Sequence, residues 1–80
     1  MPGLLAVDVG LRFGLAWLDG QGQLHRYRSQ HAPNRTVMRS AARTILAEDE
    51  LAVLVLEGGG PIADLWRGLA ENRGMQIIQI

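Results

Sequence analysis

Asp8 and Glu57 are the residues of this chain best suited to chemistry. Asp8 sits in Leu4-Leu5-Ala6-Val7-Asp8-Val9-Gly10, and Glu57 ends the run Leu51-Ala52-Val53-Leu54-Val55-Leu56-Glu57. Both runs read as central strands, where an isolated ionised carboxylate is strongly unfavourable unless a cation or a strong hydrogen-bond donor meets it. A metal ion or such a donor is therefore expected near each. Two carboxylates ending strands that could be neighbours suit a hard divalent cation with oxygen ligands, at the sheet edge where α/β folds place their ligands. The plainer readings are that Asp8 caps the next turn through the amides of Gly10 or Leu11, and that Glu57 is a solvated strand exit.

Other residues could serve the same chemistry. Gly58-Gly59-Gly60 precedes a helix, so its amides could cradle a phosphate; equally, the glycines could form only a flexible turn that admits a close helix. The run is neither a dinucleotide fingerprint after a first strand nor a Walker loop, which needs lysine. Arg35, Arg39 and Arg43 recur at i, i+4 and i+8, either as a solvated helix surface or as contacts to a nucleic-acid backbone with salt-dependent affinity. Arg12 follows the Asp8 motif directly and is the better-placed phosphate contact. Asp64 and Glu71 read as solvated helix charges, and Trp17 and Trp66 as core. Tyr27 could stack on a base or be an edge aromatic, and His25 and His31 have no assigned role.

The elements that must position these groups follow from periodicity. Residues 4–9 predict a central strand ended by Gly10, and residues 13–18 a second. The turn Asp19-Gly20-Gln21-Gly22 predicts a hairpin into a polar strand over 23–28, near a sheet edge. Residues 29–34 predict a loop, with Asn34 as N-cap of a helix carrying Val37, Met38, Ala41, Ala42, Ile45 and Leu46 at helical spacing. An acidic linker, Glu48-Asp49-Glu50, leads to a fourth strand over 51–57. Pro61 opens a second helix with the stripe Ile62, Leu65, Trp66 and Leu69, Gly74 closes it, and residues 75–80 predict a fifth strand. The order βββαβαβ predicts an antiparallel meander followed by right-handed parallel crossovers, hence a mixed sheet.

Composition narrows the chemistry. Eighty residues make one small domain, at a size that buries roughly 60% of the unfolded surface. An apolar fraction of 48% with 20% charged residues argues against disorder. Net charge is zero, so nucleic-acid binding would have to come from local patches. The chain has eight arginines and no lysine, which removes lysine nucleophiles and Schiff bases. Without cysteine there is no disulfide, zinc–thiolate site or thiol catalysis. No apolar run approaches the ~18 residues of a membrane span, and a soluble cytoplasmic protein with no membrane partner is expected.

The stretch Ala6-Val7-Asp8-Val9-Gly10-Leu11-Arg12-Phe13-Gly14-Leu15-Ala16 resembles the first motif of the ribonuclease H-like superfamily, closest to its RuvC and YqgF branch of Holliday-junction resolvases. Glu57 after Val53-Leu54-Val55-Leu56 resembles that branch's fourth-strand glutamate, and the element order matches the superfamily's opening topology. The resemblance implies a ribonuclease H-like α/β fold with a mixed five-stranded sheet, and a divalent-metal nuclease acting on structured DNA or RNA in recombination or repair. It implies that Asp8 and Glu57 hold Mg²⁺ or Mn²⁺, as a pair of ions ~3.5–4 Å apart that activate water and stabilise phosphodiester displacement. The family's further carboxylates come from a C-terminal helix, and none follows the fifth strand here. Residues 1–80 therefore read as a single domain truncated at its C-terminus.

Two rival readings stand beside this one. Actin-like sugar kinases and ATPases share the strand-Asp-x-Gly opening, but the hairpin hydroxyls common there are replaced by Leu11, Arg12 and Phe13. A degenerate nuclease fold could act without catalysis as a binding or dimerisation module, because a fifth strand without a covering helix would expose a sheet face and favour a homodimer.

Overall fold

In the computed structural model, which describes residues 3–48 and 50–80, the first three strands form the expected meander. Strand β1 (Gly3–Asp8) pairs antiparallel with β2 (Arg12–Leu18), and β2 pairs antiparallel with β3 (Leu24–His31). Helix α1 (Arg35–Glu48) then crosses to β4 (Leu51–Glu57), which lies parallel to β1 on its other side. Helix α2 (Gly60–Asn72) crosses to β5 (Gln76–Gln79), parallel to β4. The sheet order is β3-β2-β1-β4-β5, and the fold is a mixed five-stranded α/β sheet with two helices.

That order decides which face is covered. Strands β3, β4 and β5 run the same way, and both helical connections step in the same direction across the sheet. Right-handed crossovers moving in one direction must place their helices on one face. Strand alternation matches this arrangement. Leu5, Val7, Phe13, Leu15, Trp17, Leu54 and Leu56 point into the buried cluster with Met38, Ala42, Ile45 and Leu46 of α1 and Ala63, Trp66 and Ala70 of α2. The opposite face carries the intervening residues: Ala6, Asp8, Gly14, Ala16, Val55 and Glu57.

Several boundaries differ from the sequence expectation. β3 runs to His31 rather than ending at Arg28, because its register with β2 continues to the Arg12–His31 pair and the Ala32 amide then donates to the Leu11 carbonyl at 2.8 Å. The loop expected over 29–34 shrinks accordingly. The strand's polarity hid its length: β3 is the edge, and Arg26 and Arg28 reach the helix side only by stacking on Trp17, with Cζ 4.0 and 5.3 Å from its ring centre. Both arginines also approach Glu48, at 3.3 and 3.7 Å, which is the last residue of α1 rather than part of a linker. Asp49 lies outside the described residues. Asn34 caps α1 as expected, its Oδ1 accepting from the Val37 amide at 2.9 Å, but the Val37 side chain is exposed. In α2 the buried stripe is Ala63, Leu65, Trp66 and Ala70, with Ile62 and Leu69 only half-buried.

Trp66 is the largest fully buried side chain and meets Phe13 edge-on, with ring centres 5.8 Å apart. Its indole N–H has no partner among the described residues. Trp66→Ala should destabilise by about 3–5 kcal/mol, a large share of what an 80-residue domain has. Trp66→Phe should cost far less, because it also removes a buried unpaired donor. Urea midpoints of the two variants check the ranking.

At the opposite end, Asp19 organises the β2–β3 hairpin. Its Oδ1 accepts from the Gln21 and Gln23 amides at 2.8 and 3.0 Å, and its Oδ2 lies 3.1 Å from His25 Nε2. The Gln23 amide above all, then that of Gln21, lowers the Asp19 carboxyl below its ordinary value, with His25 adding to the effect. A depressed folded-state value means that this stabilisation is full above the unfolded value, about 3.9, and is lost as pH falls through the folded one. Asp19→Asn should therefore flatten the acid limb of the pH–stability curve, as read by thermal melts across pH.

A candidate metal-binding carboxylate pair on the open sheet face

Asp8 and Glu57 are direct register partners at the C-terminal ends of the parallel strands β1 and β4. Adjacent strands lie about 4.8 Å apart, so the two carboxylates leave the sheet side by side. Both belong to the uncovered face, two positions beyond Ala6 and Val55 respectively, and the Val9 amide donates to the Glu57 carbonyl at 2.9 Å to lock the two ends together.

The sequence suggested carboxylates sunk in apolar strands. Both are exposed instead. Each occupies the last position of its strand on the open face, so it escapes the burial that its neighbours Val7 and Leu56 undergo on the other face. The turn-capping alternative for Asp8 is also not what forms. No described residue donates a hydrogen bond or forms an ion pair to either carboxylate. Two adjacent like charges without a protein cation repel one another, and a bound cation would relieve that repulsion.

The donor set suits a hard ion. Mg²⁺ is usually held by one or two carboxylates plus waters and substrate phosphates rather than by an all-protein cage. Two carboxylates fit that pattern, and among the described residues no third Asp, Glu, His or Cys joins them.

The surroundings form a shallow groove of about 350 Å³, lined by Asp8, Gly14, Ala16, Tyr27, Val55, Glu57 and Ile80. Gly14 lies directly opposite Asp8 across the β1–β2 ladder. The side chain it lacks would meet the Tyr27 hydroxyl at 2.9 Å and Asp8 Cβ at 3.8 Å. Arg12 begins β2 on the same face, one step beyond the Asp8–Gly14 pair, and is exposed.

The glycine run after Glu57 has a specific geometry. Gly58 (φ +117°) and Gly60 (φ +83°) occupy the left-handed region, and a Cβ on Gly58 would press against Val9 Cβ at 3.3 Å. Gln79 ties this turn down: its Nε2 donates to the Gly58 carbonyl at 3.0 Å while Arg67 donates to its Oε1. Gly59 caps α2 without a side-chain bond, so the helix N-terminus and its amides stand at the same sheet edge as the carboxylates. The sequence reading missed Gln79, although a glutamine interrupting Ile77-Ile78-Gln79-Ile80 was a visible signal. Arg35, Arg39 and Arg43 do not join the site. They are exposed on α1, which packs on the covered face, and Arg39 borders a groove with Asp64 and Glu71 between the helices.

No protein-family model matches the sequence, and no curated protein matches it. Solved structures do resemble the fold. The fowlpox virus Holliday junction resolvase superposes with a TM-score of 0.74 at 17% identity, over 98% of this chain and 60% of that one. Its complex with substrate Holliday junction DNA superposes with a TM-score of 0.71 at 19% identity, over 96% and 60%. RuvC of T. thermophilus, bound to a Holliday junction substrate, superposes with a TM-score of 0.76 at 10% identity, over all of this chain and 64% of that one. The fold is thus the RuvC-like, ribonuclease H-like one expected from the Asp8 motif, and the chain spans less than two thirds of the length of these resolvases.

Gly58→Ala should strain the turn by about 1–3 kcal/mol and shift Glu57 relative to Asp8. Its effect should appear as a lowered melting temperature together with displaced Val9 and Glu57 amide resonances, while resonances of the Asp19 hairpin stay in place.

Proposed function

We propose that this domain is a metal-dependent endonuclease module acting on branched DNA such as a four-way junction, with Asp8 and Glu57 as the protein's ligands to Mg²⁺ or Mn²⁺. The observation that carries this reading is the Asp8–Glu57 register pair, exposed and unpartnered on the open face of a RuvC-like sheet. The resolvase neighbours bound to junction DNA support the substrate class.

In this reading Asp8 and Glu57, placed side by side by their strand register, would hold the cation. When bound there, such an ion would supply water activation and charge stabilisation for in-line displacement at phosphorus. Arg12, on the same face, contacts an adjoining phosphate, and the amides of Gly58, Gly59 and Gly60 at the start of α2 attract another. Arg35, Arg39 and Arg43 would reach only DNA that wraps onto the helical layer. A second reading is favoured by the donor count, since the described residues offer two carboxylates and no third: the domain binds junction DNA through the cation without cutting it.

Among the described residues, no helix is long and apolar enough to cross a membrane.

Mn²⁺ titrated into labelled protein should broaden the Asp8, Val9, Glu57 and Gly58 signals first. Asp8→Asn and Glu57→Gln should each weaken that binding about tenfold or more, roughly 1.4 kcal/mol. Unperturbed Asp8 and Glu57 signals at millimolar Mn²⁺ would remove both readings. Mg²⁺-dependent binding of a four-way junction without strand cleavage would select the second.

A further inference from the structure

The metal-site reading leaves a polar group of the open face unused: the hydroxyl of Tyr27. This residue is 66% exposed, although its ring lies against the sheet. Tyr27 is the cross-strand neighbour of Ala16, yet its hydroxyl reaches two residues along β2 to Gly14, the position opposite Asp8. It ends 2.9 Å from where a Gly14 Cβ would stand, a point that is also 3.8 Å from Asp8 Cβ. A side chain on Gly14 would stand too close to the hydroxyl, which would have to shift away. No described residue gives the hydroxyl a hydrogen-bond partner. A phenol O–H is thus laid over a glycine notch with its donor free, next to two carboxylates that would hold a cation.

We propose that Tyr27 is a substrate-contacting residue whose hydroxyl donates to a non-bridging oxygen of the phosphate held at the Asp8–Glu57 cation. The inference rests on the proposed metal-dependent reading of that pair. The neighbouring carboxylates keep backbone phosphates away from this face until a cation is present. The Tyr27 contact therefore forms only with metal and nucleic acid together. A hydrogen bond to a charged oxygen is among the stronger ones, and its geometry depends on Gly14 remaining without a side chain. Base stacking is the other use of an exposed aromatic, but it would need the ring alone and would be indifferent to the hydroxyl.

The test measures Mg²⁺-dependent affinity for a four-way DNA junction and does not require cleavage. Tyr27 is the only tyrosine in the chain, so ring-labelled tyrosine gives an unambiguous NMR signal. That signal should shift when junction DNA and Mg²⁺ are both present, and not with either alone. Tyr27→Phe should weaken Mg²⁺-dependent binding about tenfold while leaving Mn²⁺ affinity at Asp8 and Glu57 unchanged. Gly14→Ala should cause a similar loss in the parent chain and almost none in the Tyr27→Phe background, since the methyl group then displaces no hydroxyl. Equal affinities for the parent and Tyr27→Phe, with an unmoved ring signal, would overturn the proposal. A loss confined to Tyr27→Ala would assign the effect to the ring and overturn it as well. If Mn²⁺ leaves Asp8 and Glu57 unperturbed in the parent chain, the metal reading fails first, visibly, and this inference falls with it.

Discussion

The two parallel crossovers of this chain both step the same way across the sheet, and the handedness of such connections leaves them no choice of face. From that constraint follow the single helical layer, the one-sided burial of Leu5, Val7, Leu54 and Leu56, and an opposite face built from every second residue of the same strands. Asp8 and Glu57 belong to that second set. Their exposure depends less on the residues around them than on which side of the sheet the helices must take.

Strand parity then aligns what topology exposes. The parallel ladder puts Asp8 opposite Glu57 and the antiparallel ladder puts Gly14 opposite Asp8. A slip of one residue in either ladder would send a carboxylate into the core beside Trp66 or lift an apolar side chain into water. The buried face therefore holds the register of the open one: the Trp66–Phe13 contact on one side and the paired carboxylates on the other are consequences of the same alignment.

Much of this was legible in the sequence, because hydrophobic periodicity is strong in β1, β4 and α2 and the turn residues are unambiguous. The carboxylate pair was legible through its position at two strand ends. What misled was inferring burial from neighbours in sequence: Asp8 follows Val7, which is buried, but shares a face with Ala6, which is only half-buried. The length of β3 was hidden because an edge strand needs no apolar alternation, and its arginines are accommodated by Trp17 and Glu48, which no local pattern reveals. The arginine series of α1 had convincing spacing, yet spacing along a helix says nothing about which side of the sheet the helix occupies. The Tyr27–Gly14 approach spans two strands and was beyond any motif.

The β1–β4 ladder also determines when the site can exist. The meander of β1, β2 and β3 is local, so Asp8 and Gly14 come together through short-range pairing. Glu57 joins them only after the whole β3–α1 segment has been looped out and a parallel pairing closed, the slow, non-local kind of contact in folding. Gln79 then secures the Gly58 turn from still farther along the chain. The carboxylate pair is therefore assembled by a long-range closure and not by the first hairpins. Whatever binds the pair would favour chains in which this closure has been made over those in which it has not.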